Sequence, residues 1–322
     1  MKKLSSWLST VLVLQIIVAG GIFFTKQQGV KQEVNEPLIS FESESLDKIV
    51  ISDADNKTTL VKKDNAWMVP DYYSLPVNQQ KLQGILDNLN GLKSGWPVAT
   101  SSRSHERFEV DEEKFQKRVQ LFSGDKAVGD IYIGTSPGYR KAHVRAEGED
   151  EVFTADISAY EYAVKPSDWM SKEVLLTPQI SSIEAKDYSL QKQGESWTFA
   201  GDLSAENVDT EKANALANAV EKLYVQNAVA SSDIGEGDKN GSEIESSETE
   251  IKISADGKAF TYQFIHSDDK YYVKRNDFET VFEISKIAYE SIIQKNANDL
   301  AVKSPSTEDE AKASTEPVET NS

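Results

Sequence analysis

One segment of the chain has the residue types of a serine hydrolase. Residues 134–138 read Gly-Thr-Ser-Pro-Gly and match the G-x-S-x-G elbow, in which the backbone N–H after the serine helps to bind the oxyanion. Here that residue is Pro137, which has no N–H. The residues that follow read as a strand, whereas the elbow leads into a helix. The sequence therefore predicts a turn between strands, with Ser136 as a turn residue and not a nucleophile.

Two serine–lysine pairs match the S-x-x-K spacing of another hydrolytic chemistry. They are Ser123 with Lys126 and Ser189 with Lys192. This chemistry needs both side chains on one helical face, but the first pair spans a predicted hairpin turn and the second lies in a predicted strand. No catalytic residue is predicted, and the chain is predicted not to be an enzyme.

Metal, cofactor and nucleic-acid binding are not predicted either. The chain has no cysteine, and none of its histidines, His105, His143 and His266, has a second histidine at metal-ligand spacing. The formal net charge is −18, and a surface this acidic repels nucleic acid. These features favour a binding or assembly protein.

Two tryptophans recur at matching places before the two predicted main helices. Trp67 and Trp197 each follow an alternating stretch and a polar turn. They are interpreted either as ligand-stacking residues or as repeated core anchors beside the helix. The second interpretation is favoured because large aromatic side chains dominate small cores.

Residues 8–24 form a predicted transmembrane anchor. The run carries no charge, and about 17–25 apolar residues are needed to cross the hydrocarbon layer. Its membrane-facing residues include Leu8, Val11, Leu14, Ile17 and Phe24. A cleaved signal peptide is the alternative, since Ala19, Gly20 and Gly21 offer small residues for cleavage.

The short tail before the anchor predicts the orientation. Only residues 1–7 precede the apolar run, which is typical of a signal anchor whose body is translocated. We expect a single-pass protein of the bacterial inner (cytoplasmic) membrane, with its body in the periplasm or outside the cell.

Two halves of the chain align with each other. Asn78–Ser102 aligns with Asp209–Asp233 without gaps, so that Val77 meets Val208. Further on, Ala159-Tyr160-Glu161 matches Ala288-Tyr289-Glu290. Because so many segments agree in order, the sequence predicts an internal duplication.

Each repeat reads as an α+β unit, an antiparallel sheet packed with one main helix. A short helix is predicted to end each repeat, near residues 157–164 and 285–294. The predicted organisation is a tail (1–7), the anchor (8–24), a linker (25–45), a first repeat (46–175), a second repeat (176–300) and a disordered acidic tail (301–322).

The chain resembles the bacterial domain-of-unknown-function family 4340 over about residues 46–300. The resemblance rests on the duplicated strand–Trp–helix–sheet unit, the anchor and the phrase Pro166-Ser167-Asp168-Trp169 that joins the halves. Members are often encoded beside an ABC-type transport system and its gliding-motility-like auxiliary component. The resemblance implies an accessory subunit of a membrane complex, with ABC transporter subunits as partners, and it carries over no catalytic residue.

Two functions follow as hypotheses. The first is a non-enzymatic, membrane-anchored accessory or assembly protein of an ABC-type transport complex. The second is a tethered protein that binds a small molecule or glycan in a cleft between the repeats, with Trp67 and Trp197 as candidate contacts.

Overall fold

A computed structural model describes Gln15 and residues 36–203, 207–234, 247–267 and 269–302. The residues predicted to face the membrane lie outside this range: Leu8, Val11, Leu14, Ile17 and Phe24. Among the described residues, no helix has both the length and the apolar character needed to cross a bilayer.

The described residues form five α-helices and sixteen strands. The helices are α1 (Gln79–Asn90), α2 (His105–Phe108), α3 (Thr210–Glu221), α4 (Lys286–Ile293) and α5 (Ala297–Leu300). The strands are β1 (Lys48–Ser52), β2 (Lys57–Lys63), β3 (Ala66–Val69), β4 (Leu75–Pro76), β5 (Lys117–Ser123), β6 (Lys126–Ile133), β7 (Ala142–Ala146), β8 (Phe153–Ala155), β9 (Ile180–Glu184), β10 (Ser189–Gln193), β11 (Ser196–Phe199), β12 (Asn227–Val229), β13 (Ser247–Ala255), β14 (Lys258–Ser267), β15 (Lys270–Arg275) and β16 (Val281–Ile284).

The strands build two antiparallel eight-stranded sheets, which confirms the predicted α+β class. The first sheet has the order β4-β3-β2-β1-β5-β6-β7-β8. The second has the order β11-β10-β9-β13-β14-β15-β16-β12. Seven neighbouring strands of the first sheet, from β3 across to β8, therefore have the same order as seven strands of the second sheet, from β11 across to β16.

Tight turns close two hairpins, one of them the turn predicted between Ser123 and Lys126. Gly124 joins β5 to β6 with φ of +60°, and Asp256 and Gly257 join β13 to β14 with φ of +49° and +73°. Positive φ at the centre of a two-residue hairpin matches the twist of the strands, and glycine adopts it without steric cost. The short apolar alternations on either side then pair as antiparallel strands.

Each of the two main helices buries one apolar face. The buried residues of α1 are Leu82, Ile85, Leu86 and Leu89. Those of α3 are Ala213, Leu216, Ala217 and Val220. Asp209 precedes α3, and its side chain accepts a hydrogen bond from the Lys212 N–H at 3.3 Å, as expected of an N-cap.

The chain divides into two compact units. Among the described residues, those up to residue 67 and those from 79 to 168 form unit 1, and those from 68 to 78 and from 169 to 302 form unit 2. The short segment 68–78 is thus part of unit 2. Its Leu75 is 1% exposed in the same core cluster as Ile183, and the Tyr72 hydroxyl accepts a hydrogen bond from the Ala228 N–H at 2.8 Å.

Two pairs of backbone hydrogen bonds recur at one spacing along the chain. The Asn78 N–H donates to the Trp169 carbonyl at 2.7 Å, and the Asp209 N–H donates to the Leu300 carbonyl at 2.8 Å. In the second pair, the Ser171 N–H donates to the Pro76 carbonyl at 2.7 Å, and the Val302 N–H donates to the Asn207 carbonyl at 2.9 Å. The segments before both main helices are therefore fixed in the same way.

The folded body extends beyond the predicted repeat boundaries. Ile39 and Phe41, in the predicted linker, are 8% and 9% exposed. Ala301, in the predicted tail, forms a β-bridge with Val208. The short helix predicted near residues 157–164 is present only as a 3₁₀ helix over Ala159–Glu161. The helix predicted near residues 285–294 is present as α4.

Candidate functional site

The G-x-S-x-G segment forms the loop between β6 and β7 of unit 1, as predicted. The loop begins at Gly134, whose N–H donates to the His143 carbonyl at 2.8 Å. A side-chain carbon at Gly134 would lie 2.6 Å from the Glu109 carbonyl oxygen, and nearer still to that of Phe108. Only glycine therefore lets the loop approach the end of α2 this closely.

The tip of this loop is held by its own hydrogen bonds. The Ser136 hydroxyl donates to the Gly138 carbonyl at 2.7 Å, and the Lys141 N–H donates to the same carbonyl at 3.2 Å. Arg140 adopts a left-handed conformation with φ of +52°. Such a conformation is costly for a non-glycine residue and tends to occur at functional positions. The result is a tight tip that carries Tyr139 and Arg140.

Two tyrosines in this part of unit 1 are almost fully exposed. Tyr139 at the loop tip is 90% exposed, and Tyr160 in the 3₁₀ turn after β8 is 96% exposed. Both line one cavity of about 520 Å³, together with Ser136, Arg140 and Gln116. We call these five residues the tyrosine groove.

Glu161 links the two sides of the groove. Its carboxylate lies 3.9 Å from the Arg140 guanidinium and accepts a hydrogen bond from the Asn88 amide of α1 at 3.3 Å. A smaller cavity of about 250 Å³ is lined by Tyr160, Glu161 and residues of α1. Lys141 forms an ion pair with Asp156 beside the loop tip. The groove therefore combines two aromatic rings with balanced charges.

The layer beneath the loop fixes its base. The Thr135 N–H donates to the Phe108 carbonyl at 2.9 Å, and the Thr135 hydroxyl lies 2.9 Å from His143 Nδ1. The Phe108 and His143 rings are 4.5 Å apart. Burial lowers the pKa of His143, so the ring is neutral at neutral pH. The loop thus rests on a packed base that includes a neutral His143.

This arrangement is suited to binding. A tyrosine ring presents a broad apolar face and a polar hydroxyl, and tyrosine and arginine are enriched at protein interfaces. Ser136 is poorly placed to act as a nucleophile, because its hydroxyl hydrogen is donated to a carbonyl and the loop leads into β7, a strand. The geometry supports recognition of a partner surface or a ring-shaped ligand.

The two serine–lysine pairs lie in strands. Ser123 and Lys126 flank the β5–β6 turn, and Ser189 and Lys192 lie within β10. Neither pair shares a helical face, as predicted.

His105 and His266 each contact another residue of their own unit. His105 is 6% exposed with its Nε2 3.0 Å from the Asp150 carbonyl, and His266 stacks on Tyr271 at 4.7 Å. In the part of the chain that the structure describes, no three acidic, histidine or cysteine side chains form a group that could hold a metal ion.

Both recurrent tryptophans are buried. Trp67, in unit 1, is 7% exposed, and Trp197, in unit 2, is 3% exposed. The Trp197 indole N–H donates to the Asn214 side chain at 2.8 Å. Their interpretation as ligand-stacking residues stays a prediction.

Sequence reasoning did not select Tyr139, Arg140 or Tyr160. One signal was available for Tyr139. It directly follows Ser-Pro-Gly in a predicted turn, and turns lie at the surface, where an aromatic side chain has no core to pack against. No such signal existed for Tyr160, whose surrounding residues read as an amphipathic helix.

The described residues form an α+β protein with two antiparallel sheets, and unit 1 carries the tyrosine groove. Residues 67–243, more than half of the chain, match the family described as domain of unknown function (DUF4340). The chain belongs to this family. Comparison with curated proteins found no match, and comparison with solved structures found none either.

Proposed function

We propose that this protein is a non-enzymatic accessory component of a membrane transport complex, and that the tyrosine groove is its docking surface. The observation that carries this proposal is the exposure of Tyr139 and Tyr160, at 90% and 96%, in one cavity that Arg140 also lines. A monomeric surface gains nothing in stability from side chains exposed to this degree. A partner that covers them gains large apolar contact area.

The chemistry of the groove supports a protein partner. Tyrosine and arginine are the residue types most often found as binding hot spots, and a tyrosine loses little side-chain entropy when it is covered. The groove is pre-ordered by the loop-tip hydrogen bonds of Ser136 and Lys141. Pre-ordering reduces the entropy cost of association.

The uncharged run of residues 8–24 supports attachment to a membrane. Its length meets the minimum for one crossing. We place the protein in the inner membrane of a bacterium, as a single-pass protein whose body lies in the periplasm or outside the cell. The proposed partner is an ABC-type transporter subunit, as the resemblance of this chain to accessory proteins of such transporters implies.

The two repeats are proposed to be duplicated copies of one ancestral unit. Support comes from the shared strand order of the two sheets and from the recurrent hydrogen bonds at Asn78 and Asp209. Duplication would let one copy keep a purely structural role while the other acquired a binding surface.

The proposal is tested by co-purification of the tagged full-length protein from membranes in detergent. We expect ABC transporter subunits to be enriched with the wild type and lost with the double variant Y139A/Y160A. Ile287→Ala is the matched control, since Ile287 is an exposed apolar side chain of α4, at 79%. Equal recovery with all three proteins contradicts the proposed surface, and absence of transporter subunits from the wild type contradicts the proposed partner.

A small molecule or glycan is the second candidate for the same groove. The cavity volume of about 520 Å³ lies within the usual range for ligand pockets, and aromatic walls with a few polar groups are typical of them. Thermal-shift measurements of the full-length protein against a panel of envelope glycans test this candidate. A shift that disappears in Y139A/Y160A supports it, and no shift across the panel argues against it.

A further inference from the structure

A second exposed apolar feature lies on unit 1, in the loop that follows α1. Trp96 is 74% exposed and Val98 is 44% exposed, with Pro97 between them. The other described tryptophans, Trp67, Trp169 and Trp197, are between 0% and 7% exposed. Trp96 therefore differs from the other described tryptophans in being exposed.

This loop is held at both ends. On its N-terminal side, the Ser94 N–H donates to the Glu36 carbonyl at 2.7 Å. On its C-terminal side, the Val98 N–H donates to the Val152 carbonyl at 2.8 Å. The Trp96 side chain thus projects from a fixed base.

The base of the loop is also where the chain enters the folded body. Pro37 forms a β-bridge with Lys93, and the Leu38 N–H donates to the Leu92 carbonyl at 3.0 Å. Residues 25–35 separate this point from Phe24, the end of the proposed anchor. Even fully extended, a segment of this length spans at most about 40 Å. With residues 8–24 in the bilayer, the entry point of the chain lies within about 40 Å of it, so the Trp96 loop is within reach of the bilayer surface.

We propose that Trp96, Pro97 and Val98 form a second membrane contact, which inserts into the lipid interface beside the anchor. This inference rests on the proposed anchoring of residues 8–24. Tryptophan favours the membrane–water interface because its ring is apolar and its indole N–H stays in the wet headgroup region. Lys93, exposed at the base of the same loop, suits the phosphate groups of that region. The contact would fix the orientation of unit 1 over the membrane.

The test uses the full-length protein in vesicles of phosphatidylcholine and phosphatidylglycerol whose acyl chains carry bromine, which quenches tryptophan fluorescence on contact. Trp7→Phe serves as the background, because Trp7 adjoins the anchor. We expect bromolipid to reduce the remaining emission, and Trp96→Phe to abolish that reduction. Val98→Glu keeps the fluorophore and should weaken the quenching several-fold, whereas Ile287→Glu, the same type of change on α4, should leave it unchanged.

Alkaline extraction of the same vesicles separates the two possible failures. If the protein stays in the vesicles but its emission is insensitive to bromolipid, the Trp96 contact is refuted while the anchor stands. If the protein is extracted, the anchor and this inference both fail. Quenching that persists in Trp96→Phe also overturns the proposal. No partner protein is present, so burial of Trp96 by a protein cannot produce the expected result.

Discussion

Tyr160 and Tyr289 stand in the same tripeptide, Ala-Tyr-Glu, but their side chains have opposite environments. Tyr160 is 96% exposed, whereas Tyr289 is 7% exposed. The Tyr289 ring lies 4.9 Å from Tyr271, on a helix whose N-cap, Ser285, accepts a hydrogen bond from the Ala288 N–H. Tyr160 lies in a single 3₁₀ turn. The difference in local backbone leaves one tyrosine exposed and the other buried.

Alanine substitutions at these two tyrosines should have opposite effects. Tyr160→Ala removes an exposed ring and should change the free energy of unfolding by less than about 0.5 kcal/mol. It should weaken partner binding by about 30-fold or more, as expected of a hot spot of about 2 kcal/mol. Tyr289→Ala should destabilise the protein by about 3 kcal/mol because it opens a cavity in unit 2. Urea unfolding and a binding assay check both; a destabilised Tyr160→Ala would contradict the structural assignment.

Gly134 should tolerate no side chain. Gly134→Ala places a methyl group against the Glu109 and Phe108 carbonyls, and relieving this overlap should cost about 1–3 kcal/mol of stability. The matched control is Gly138→Ala in the same loop, where nothing lies within 4 Å of the added carbon. Thermal unfolding should show a lower Tm for the first variant only. Equal Tm values would show that the loop does not rest on α2 in this way.

His143 should make stability depend on pH. Burial lowers its pKa in the folded protein, so the unfolded chain binds the proton at a higher pH than the folded protein does. Its contribution is complete above about pH 6.5 and declines as the pH falls below that value. We expect the free energy of unfolding to decrease from about pH 7.5 to 5.5, and His143→Gln to flatten this slope. An unchanged slope would assign the dependence to other groups.

Leu75 should stabilise unit 2 although it lies far earlier in the sequence. Leu75→Ala removes a side chain that is 1% exposed in the core cluster of unit 2, and it should cost about 2–5 kcal/mol. Hydrogen exchange should accelerate in α3 and β9, which share that core. Tyr73→Ala, in the same segment but 47% exposed, should leave exchange there unchanged. Acceleration confined to residues near Leu75 would contradict its place in that core.

The sheets were largely predictable because their signals are local. Alternation in β5, β6, β13 and β14, with turn residues at Gly124 and Gly257, specifies hairpins whose partners are neighbours in sequence. The main helices were equally accessible, because their leucines and alanines recur at helical spacing. The G-x-S-x-G segment was also interpreted correctly, since a proline after the serine removes the required N–H.

The tyrosine groove and the unit boundaries were not predictable in the same way. Whether the ring in Ala-Tyr-Glu is buried depends on a tertiary neighbour such as Tyr271, which no local pattern reveals. Residues 68–78 belong to unit 2 because Leu75 packs against residues about a hundred or more positions later in the sequence. Ile39 and Phe41 were assigned to a linker because isolated apolar residues in a polar stretch carry no periodic signal.

The most direct test of the docking surface is site-specific photo-crosslinking in cells that express the full-length protein. A photoreactive phenylalanine derivative replaces Tyr139, Tyr160 or, as the control, Ile287, and the crosslinked proteins are identified by mass spectrometry. We predict adducts with an ABC transporter subunit from positions 139 and 160 and none from position 287. The absence of adducts from both groove positions, or the same adducts from position 287, would contradict the assignment of the tyrosine groove as the surface that binds the transporter.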